Sequence, residues 1–380
     1  MTKSLFSVGF RPFFILCALT GLICPLLWTL ILNGHLEMNT IYSSGLAWHA
    51  HEMLFGVTLA LIAGFLLTAG SVWTNRPPLQ GKPLKVLVFL YLVERIIPFL
   101  NLNKSLSIVI IMIFSISLLG SILWLLRGNR NQMIISPILS IIVISKLLFL
   151  IGDFYFVENL YEYGRHFGLI AILLLIITFS GRVVPMFSAP HLGFRPIVPN
   201  WINRGSIITV IFLLIPFHML TKPLHLFILL STITFNILRL YYWRPIKCLK
   251  NSLISVLHIG QTFFIIGILL IILEQFNIVE DTNQMALHSF SVGTLGVFAI
   301  GIMLRVTKGH TGREIKSDRM DKIIIHAVYL CCLFRILLPY ILNFEYNIFL
   351  LWNAAFFWGL AFFLYLARYV KVLTNPRLDK

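Results

Sequence analysis

Trp48, His49, Ala50, His51 and Glu52 put two imidazoles and a carboxylate side by side at the start of an apolar run. Neutral imidazole is the common nitrogen ligand of haem iron and of copper, and a nearby carboxylate can hold the ring that ligates. If the stretch is helical, His49 and His51 face about 200° apart and do not easily share one metal. One can then be an axial haem ligand while the other serves a copper or a hydrogen bond. Glu52, three residues past His49, is placed to orient that ring as an outer acceptor.

A haem between two helices needs a histidine on each at matched depth, and a flat gap lined by small residues. His288 opens another apolar run beside Ser289, Gly293 and Gly296 at helical spacing. That track offers such a gap; plain helix packing explains it equally well. Buried propionates call for arginine, and Arg95 and Arg335 lie inside apolar runs, as does Lys146. Glu94, next to Arg95, points about 100° away on a helix and is not automatically its partner. His35, His191, His218 and His225 read as ordinary interfacial histidines.

The elements that must hold these groups follow from composition. The chain has 380 residues, 58% hydrophobic and 12% charged, with 32 Phe. Soluble domains run nearer ~45–50% apolar and ~25% charged. The expectation is an all-α polytopic membrane protein, one integral membrane domain over 1–380, with about twelve spans of roughly 20 residues. They fall near 13–32, 47–72, 84–100, 106–126, 133–152, 166–187, 206–221, 223–243, 253–273, 283–306, 322–342 and 347–371. The seventh is short. No internal repeat and no cleavable leader is visible. The five cysteines show no CxxC and read as inert buried thiols.

A net charge of +16 would suggest nucleic acid in a soluble protein. Here the basic residues sit in short loops and read as orientation signals, so no nucleic-acid partner is expected. With the N-terminus cytoplasmic, 21 of the 30 Lys and Arg fall on that side, against Lys104, Arg165 and Lys222 opposite. The opposite loops carry Glu37, Asp153, Glu158, Glu162, Glu274, Glu280, Asp281 and Glu345. Both termini are therefore expected inside. His51 and His288 then lie about 7.5 Å into the outer leaflet, with His49 shallower and His166 at a span mouth. His258, His326 and His310 lie toward the inner face. Arg182, Arg239 and Arg305 read as snorkelling at inner helix ends.

Several strings point further. "GFRPFF" opens at Gly9, "WHAHEMLFG" at Trp48, "AGFLLTA" at Ala63, "RPPL" at Arg76, "GRVVP" at Gly181, "VLHIG" around His258, "ALHSFSVGTLG" at Ala286 and "RVTKGHTGR" at Arg305. Together, over nearly the whole length, they resemble the NnrS family: bacterial inner-membrane proteins containing haem and copper, tied to the response to nitric oxide. The resemblance implies b-type haem, copper, nitric oxide as the small-molecule partner, relief of nitrosative stress and a link to denitrification; it names no electron donor. Its motif positions fall on His49, His51, Glu52, Arg182, His258, His288, Arg305 and His310. Ser180 stands where the family usually has glycine.

On depth, His51 and His288 are expected as the haem pair, Arg95 and Arg335 as propionate partners, and His49 as an outer copper ligand. His258, with Arg182, Arg305 and His310, is expected to form an inner metal site or propionate clamp. An alternative is a nitric-oxide-converting redox enzyme. Membership of the haem–copper oxidases is disfavoured, because no two histidines are adjacent and the only HxH lies in the second span. A secondary transporter of a small solute is a further alternative. A purely structural scaffold leaves the buried charges without cause.

Overall fold

Long apolar runs in lipid have few options, because each backbone N–H and C=O must bond inside its own segment, and a helix does that. A computed structural model, described for residues 2–100, 102–276, 278, 283–342 and 347–378, is 82% helix with no strand among those residues. The longer helices are α1 (Phe10–Leu32), α2 (Gly45–Thr74), α3 (Lys82–Ile96), α4 (Lys104–Leu126), α5 (Arg130–Phe154) and α6 (Glu158–Leu192). They continue as α7 (Asn200–Phe212), α8 (Lys222–Tyr242), α9 (Ser252–Gln275), α10 (Gln284–His310), α11 (Arg319–Cys332) and α12 (Ile348–Thr374).

Among the described residues nine helices are long and apolar enough to cross a bilayer, fewer than the expected twelve. The three that fall short are α3, α7 and α11. α3 stops at Ile96 and passes into a 3-10 turn, Ile97–Phe99, around Pro98. α7 stops at Phe212, ahead of Pro216 and a second 3-10 turn, Phe217–Met219. Proline lacks the N–H that the next turn would need. Glu280, Asp281 and Glu345, read as outer-loop acids, lie outside the described residues.

Among the described residues three π-helical segments interrupt the α geometry: Glu52–Val57 in α2, Ser289–Gly296 in α10, and Leu333–Leu337 directly after α11. A π turn holds one residue more than an α turn and loosens the carbonyl ladder. Two of the three are closed by a threonine hydroxyl reaching back five residues. Thr58 Oγ1 donates to Met53 O at 3.2 Å, and Thr294 Oγ1 to Ser289 O at 3.1 Å.

The chain divides into two compact units. Unit 1 comprises Met1–Ile172, Val306–Ile315 and Phe362–Lys380. Its core is aromatic, with Phe10, Phe13, Phe14, Tyr91 and Phe114 fully or almost fully buried. α5 and α6 pack backbone to backbone, since a Cβ on Gly152 would overlap Tyr161 N and one on Gly164 would overlap Phe149 N. Arg11 anchors the start of α1 by donating from Nη1 to Leu373 O (2.8 Å) and Asn375 O (2.5 Å). Unit 2 comprises Leu173–Arg305 and Lys316–Ala361. There α9 packs on the π segment of α10 and on α8, and a reciprocal Asp318–Asp321 capping box starts α11.

Candidate functional site

In unit 1, α2 places His51 as the last residue before its π segment, with no solvent exposure. His51 Nδ1 lies 3.2 Å from Glu52 Oε1. Glu52 Oε2 accepts from Arg95 Nη1 at 2.6 Å, and Arg95 Nη2 pairs with Glu94 Oε1. The same Glu94 oxygen accepts from Lys146 Nζ at 2.6 Å, and Lys146 also donates to Ser115 Oγ (2.8 Å) and Ile111 O (3.3 Å). Two acids and two cations thus neutralise one another along α2, α3 and α5. Isolated buried charges would each cost several kcal/mol; joined, they cost far less.

Gly56, inside the π segment, makes the chain of charges possible. A Cβ there would overlap Arg95 Nη1. Its carbonyl, loosened by the π geometry, accepts from Tyr91 OH at 3.2 Å. That hydroxyl also bonds Thr20 Oγ1 at 2.7 Å, and the Arg95 guanidinium sits 5.0 Å over the Tyr91 ring. Glu52, which holds the His51 ring, is itself held by Arg95, whose guanidinium is packed on Tyr91.

The opposite edge of that ring is different. With Nδ1–H given to Glu52, Nε2 carries the lone pair, and it has no hydrogen-bond partner although buried. The Tyr42 ring, centred 5.3 Å from the His51 ring, has a buried hydroxyl that is likewise unpartnered. Phe55 and Phe149 close the sides at 5.6 and 5.9 Å. Buried polar atoms are nearly always bonded. An imidazole held by a carboxylate at one nitrogen and open at the other is the arrangement of a metal-ligating histidine.

Here the sequence expectations need correction. Glu52 holds His51 rather than His49, because adjacent side chains meet across the start of the π turn. The His49 ring stacks instead on Trp28, at 5.1 Å and 17°. Arg95 is taken up by Glu52 and Glu94, so its place in the interior needs no propionate, and Glu94 is its partner after all. Asp153, read as a loop acid, is buried and holds the backbone N (3.1 Å) and hydroxyl of Ser43.

In unit 2, His288 precedes the π segment of α10 as His51 precedes that of α2. Its Nδ1 is 2.6 Å from Gln284 O, which leaves Nε2 with the lone pair. The exposed His326 makes the same bond to Lys322 O, so that bond alone does not mark a ligand. The small-residue track beside His288 is filled. A Cβ on Gly293 would lie 2.5 Å from Phe263 and one on Gly296 would overlap Trp358, while Ser289 Oγ donates to Phe263 O at 2.7 Å. In this structure the track is taken up by helix packing. Arg335 sits half-buried within the third π segment.

The expected inner group is uneven. His258 is buried beside Trp243 (6.0 Å, edge-on), and neither ring nitrogen has a partner. Arg305 is buried, stacked 4.0 Å over Phe187 and donating to its carbonyl at 3.2 Å, not snorkelling. Arg182 is exposed. His310 belongs to unit 1, 5.6 Å from the Phe10 ring. Arg239 is 1% exposed and points inward, against the snorkelling expectation. Among the described residues no three His, Cys, Asp or Glu side chains cluster closely enough to hold a metal by themselves.

Sequence reading missed the π segments and the Glu94–Lys146 link. The second was recoverable: two acids and two cations inside neighbouring apolar runs have to find each other. A family model described as "NnrS protein" matches residues 4–377. No curated protein and no solved structure matches the chain.

Proposed function

The chain belongs to the NnrS family, and on that premise we propose that it is a multi-pass protein of the bacterial inner membrane that holds b-type haem and copper and binds nitric oxide. One observation carries the reading: the fully buried His51, pinned at Nδ1 by Glu52 and open at Nε2. His51 is the nitrogen donor best prepared for haem iron in unit 1, and His288, with the same tautomer, is a proposed ligand within unit 2. In unit 2 His258 offers a second unpartnered imidazole, with Arg305 and Arg182 as proposed partners, and His310 is a separate candidate in unit 1. His49, stacked on Trp28, is the proposed copper ligand, and Arg335 the proposed propionate partner.

When bound, haem supplies an iron site for a small neutral gas that partitions into lipid. The protein's own part is to hold the ligating ring still and to exclude water. The aromatic wall of Tyr42, Phe55 and Phe149 does the second. The salt-bridged Glu52 does the first and strengthens the ring as a donor. Relief of nitrosative stress and a tie to denitrification belong to the same proposal and rest on the family membership.

Absorption spectra of the purified full chain, with and without nitric oxide, and metal analysis test the proposal. The wild type should show a Soret band that shifts with nitric oxide, His51→Ala should lose it, and His326→Ala should keep it. A full haem complement in His51→Ala overturns the assignment.

A secondary-transporter reading has one observation behind it. Three helical elements are interrupted by π segments, and α2 carries a buried charge chain beside its interruption, as broken helices do at transport sites. Colourless protein from haem-replete cells would favour it.

A further inference from the structure

α11 begins at Arg319, and positions 319, 322, 323, 326, 327 and 330 lie along one of its faces at helical spacing. That face is polarised along the helix axis. Arg319, Lys322 and His326, all exposed, occupy its first two turns, and Ile323, Ala327 and Leu330 supply the rest. From Arg319 to Leu330 is about 16 Å at helical rise, roughly half of a hydrocarbon core. The two acids at this end of the helix are turned elsewhere. Asp318 Oδ1 accepts from Asp321 N and Asp321 Oδ2 from Asp318 N, both at 2.9 Å, and Asp321 is fully buried. Arg319 and Lys322 form no ion pair among the described residues. His326 Nδ1 is taken up by Lys322 O at 2.6 Å, which leaves Nε2 for another partner.

A groove of about 260 Å³ follows this face, bounded by Arg319, Lys322, Ile323, His326 and Leu330 of α11 and by Phe357 of α12. All of them belong to unit 2. Phe334, one turn beyond Leu330, stacks on Phe357 (5.5 Å, 13°), so aromatic rings back the deep end. The accessible lining is apolar, so the two long cations lend it their methylene stems and keep their charged ends at the mouth. Ile323 and Leu330 stay 43% and 37% exposed, apolar surface that the described residues leave uncovered.

We infer that this groove holds one anionic phospholipid of the leaflet that these basic residues face. Its phosphate sits at Arg319, Lys322 and His326, and an acyl chain lies along Ile323, Leu330 and Phe357. Charge and polarity together choose the occupant. Three basic groups at the mouth suit a phosphodiester, and basic pockets between spanning helices recognise anionic headgroups in this way. The apolar stretch behind them takes the first part of a chain, which a free phosphate would leave unused. A second copy of this chain would bring its own cations against these about a two-fold axis. An uncharged apolar helix would leave all three basic groups unmatched.

The test uses the full chain in an uncharged detergent. Phosphatidylglycerol, phosphatidylcholine and the chain-free headgroup glycerophosphoglycerol are titrated separately, by native mass spectrometry and thermal shift. One phosphatidylglycerol per chain should bind saturably, with phosphatidylcholine about tenfold weaker and the chain-free headgroup weaker still. Arg319→Gln/Lys322→Gln should weaken phosphatidylglycerol about tenfold. Both side chains are exposed, so the fold tolerates the change. Lys247→Gln/Lys250→Gln removes two exposed cations elsewhere in unit 2 and should keep the wild-type affinity. Equal binding of the two phospholipids by wild type, or equal losses in the two double variants, overturns the inference. So does a dimer that Arg319→Gln/Lys322→Gln disperses, which would give the surface to a second copy. None of these readouts requires haem, so the outcome is independent of the reading for His51.

Discussion

Glu94 Oε1 is shared by Arg95 and Lys146, so the stability of the unit 1 charge chain depends on all of its members being present together. Breaking a buried pair from one side typically costs about 3–5 kcal/mol, because the survivor stays buried and uncompensated. Lys146→Met and Glu94→Gln should each lower the thermal unfolding midpoint in detergent markedly. The double variant should lose less than the two added together, with a coupling of at least about 1 kcal/mol. Simple additivity in that cycle would show that the two groups do not share a charge. Gly56 gives a second contrast. Gly56→Ala drives a methyl into Arg95 Nη1, and overpacking of this kind costs about 1–3 kcal/mol. Gly120→Ala in α4 meets nothing within 4 Å and should be neutral or stabilising by up to about 1 kcal/mol. Equal melting of the two alanine variants would remove Gly56 from the account of how Glu52 and His51 are held.

At the scale of elements, the apolar runs marked the helices closely: the expected 13–32 is Phe10–Leu32 and the expected 253–273 is Ser252–Gln275. Hydropathy failed where a run continues through a proline, so the third and seventh segments were drawn through Pro98 and past Phe212. It is also blind to π turns, because one extra residue changes the register of a helix and not its composition. The traces were there in retrospect: a threonine five residues beyond the carbonyl it caps, and a glycine between, at Met53–Gly56–Thr58 and Ser289–Gly293–Thr294. That extra residue sets where His51 points. Deleting Leu54 should convert Glu52–Val57 to α geometry and swing His51 by about 100° relative to the C-terminal part of α2. Helix content by circular dichroism should barely change, while the Soret band of loaded protein falls to the level of His51→Ala. Retention of full haem by the deletion variant would mean that the π turn does not aim the ligand.

At the scale of the molecule, the 21-to-three division of basic residues spoke to orientation, but nothing in composition marked the division into two units, because no linker separates them and units share helices. The helix count is where orientation is most exposed to error. α7 has 13 residues, about 20 Å at helical rise, short of a hydrocarbon core of about 30 Å. If it crosses only with the turn that follows, Lys222 lies outside and Lys250, beyond the full-length α8, lies inside. If it does not cross, both exchange sides. The five native cysteines are buried, so introduced thiols can be read against a low background. Glu37→Cys and Lys222→Cys, both at exposed positions, should react with a membrane-impermeant maleimide in intact spheroplasts. Lys250→Cys and Glu314→Cys, also exposed, should react only after permeabilisation. Labelling of Lys250→Cys in place of Lys222→Cys, with Glu37→Cys unchanged, would show that α7 turns back before reaching the outer face. In that case the positive-inside count would have to be redrawn for the loops after α6, and the matched depth of His51 and His288 would be lost with it.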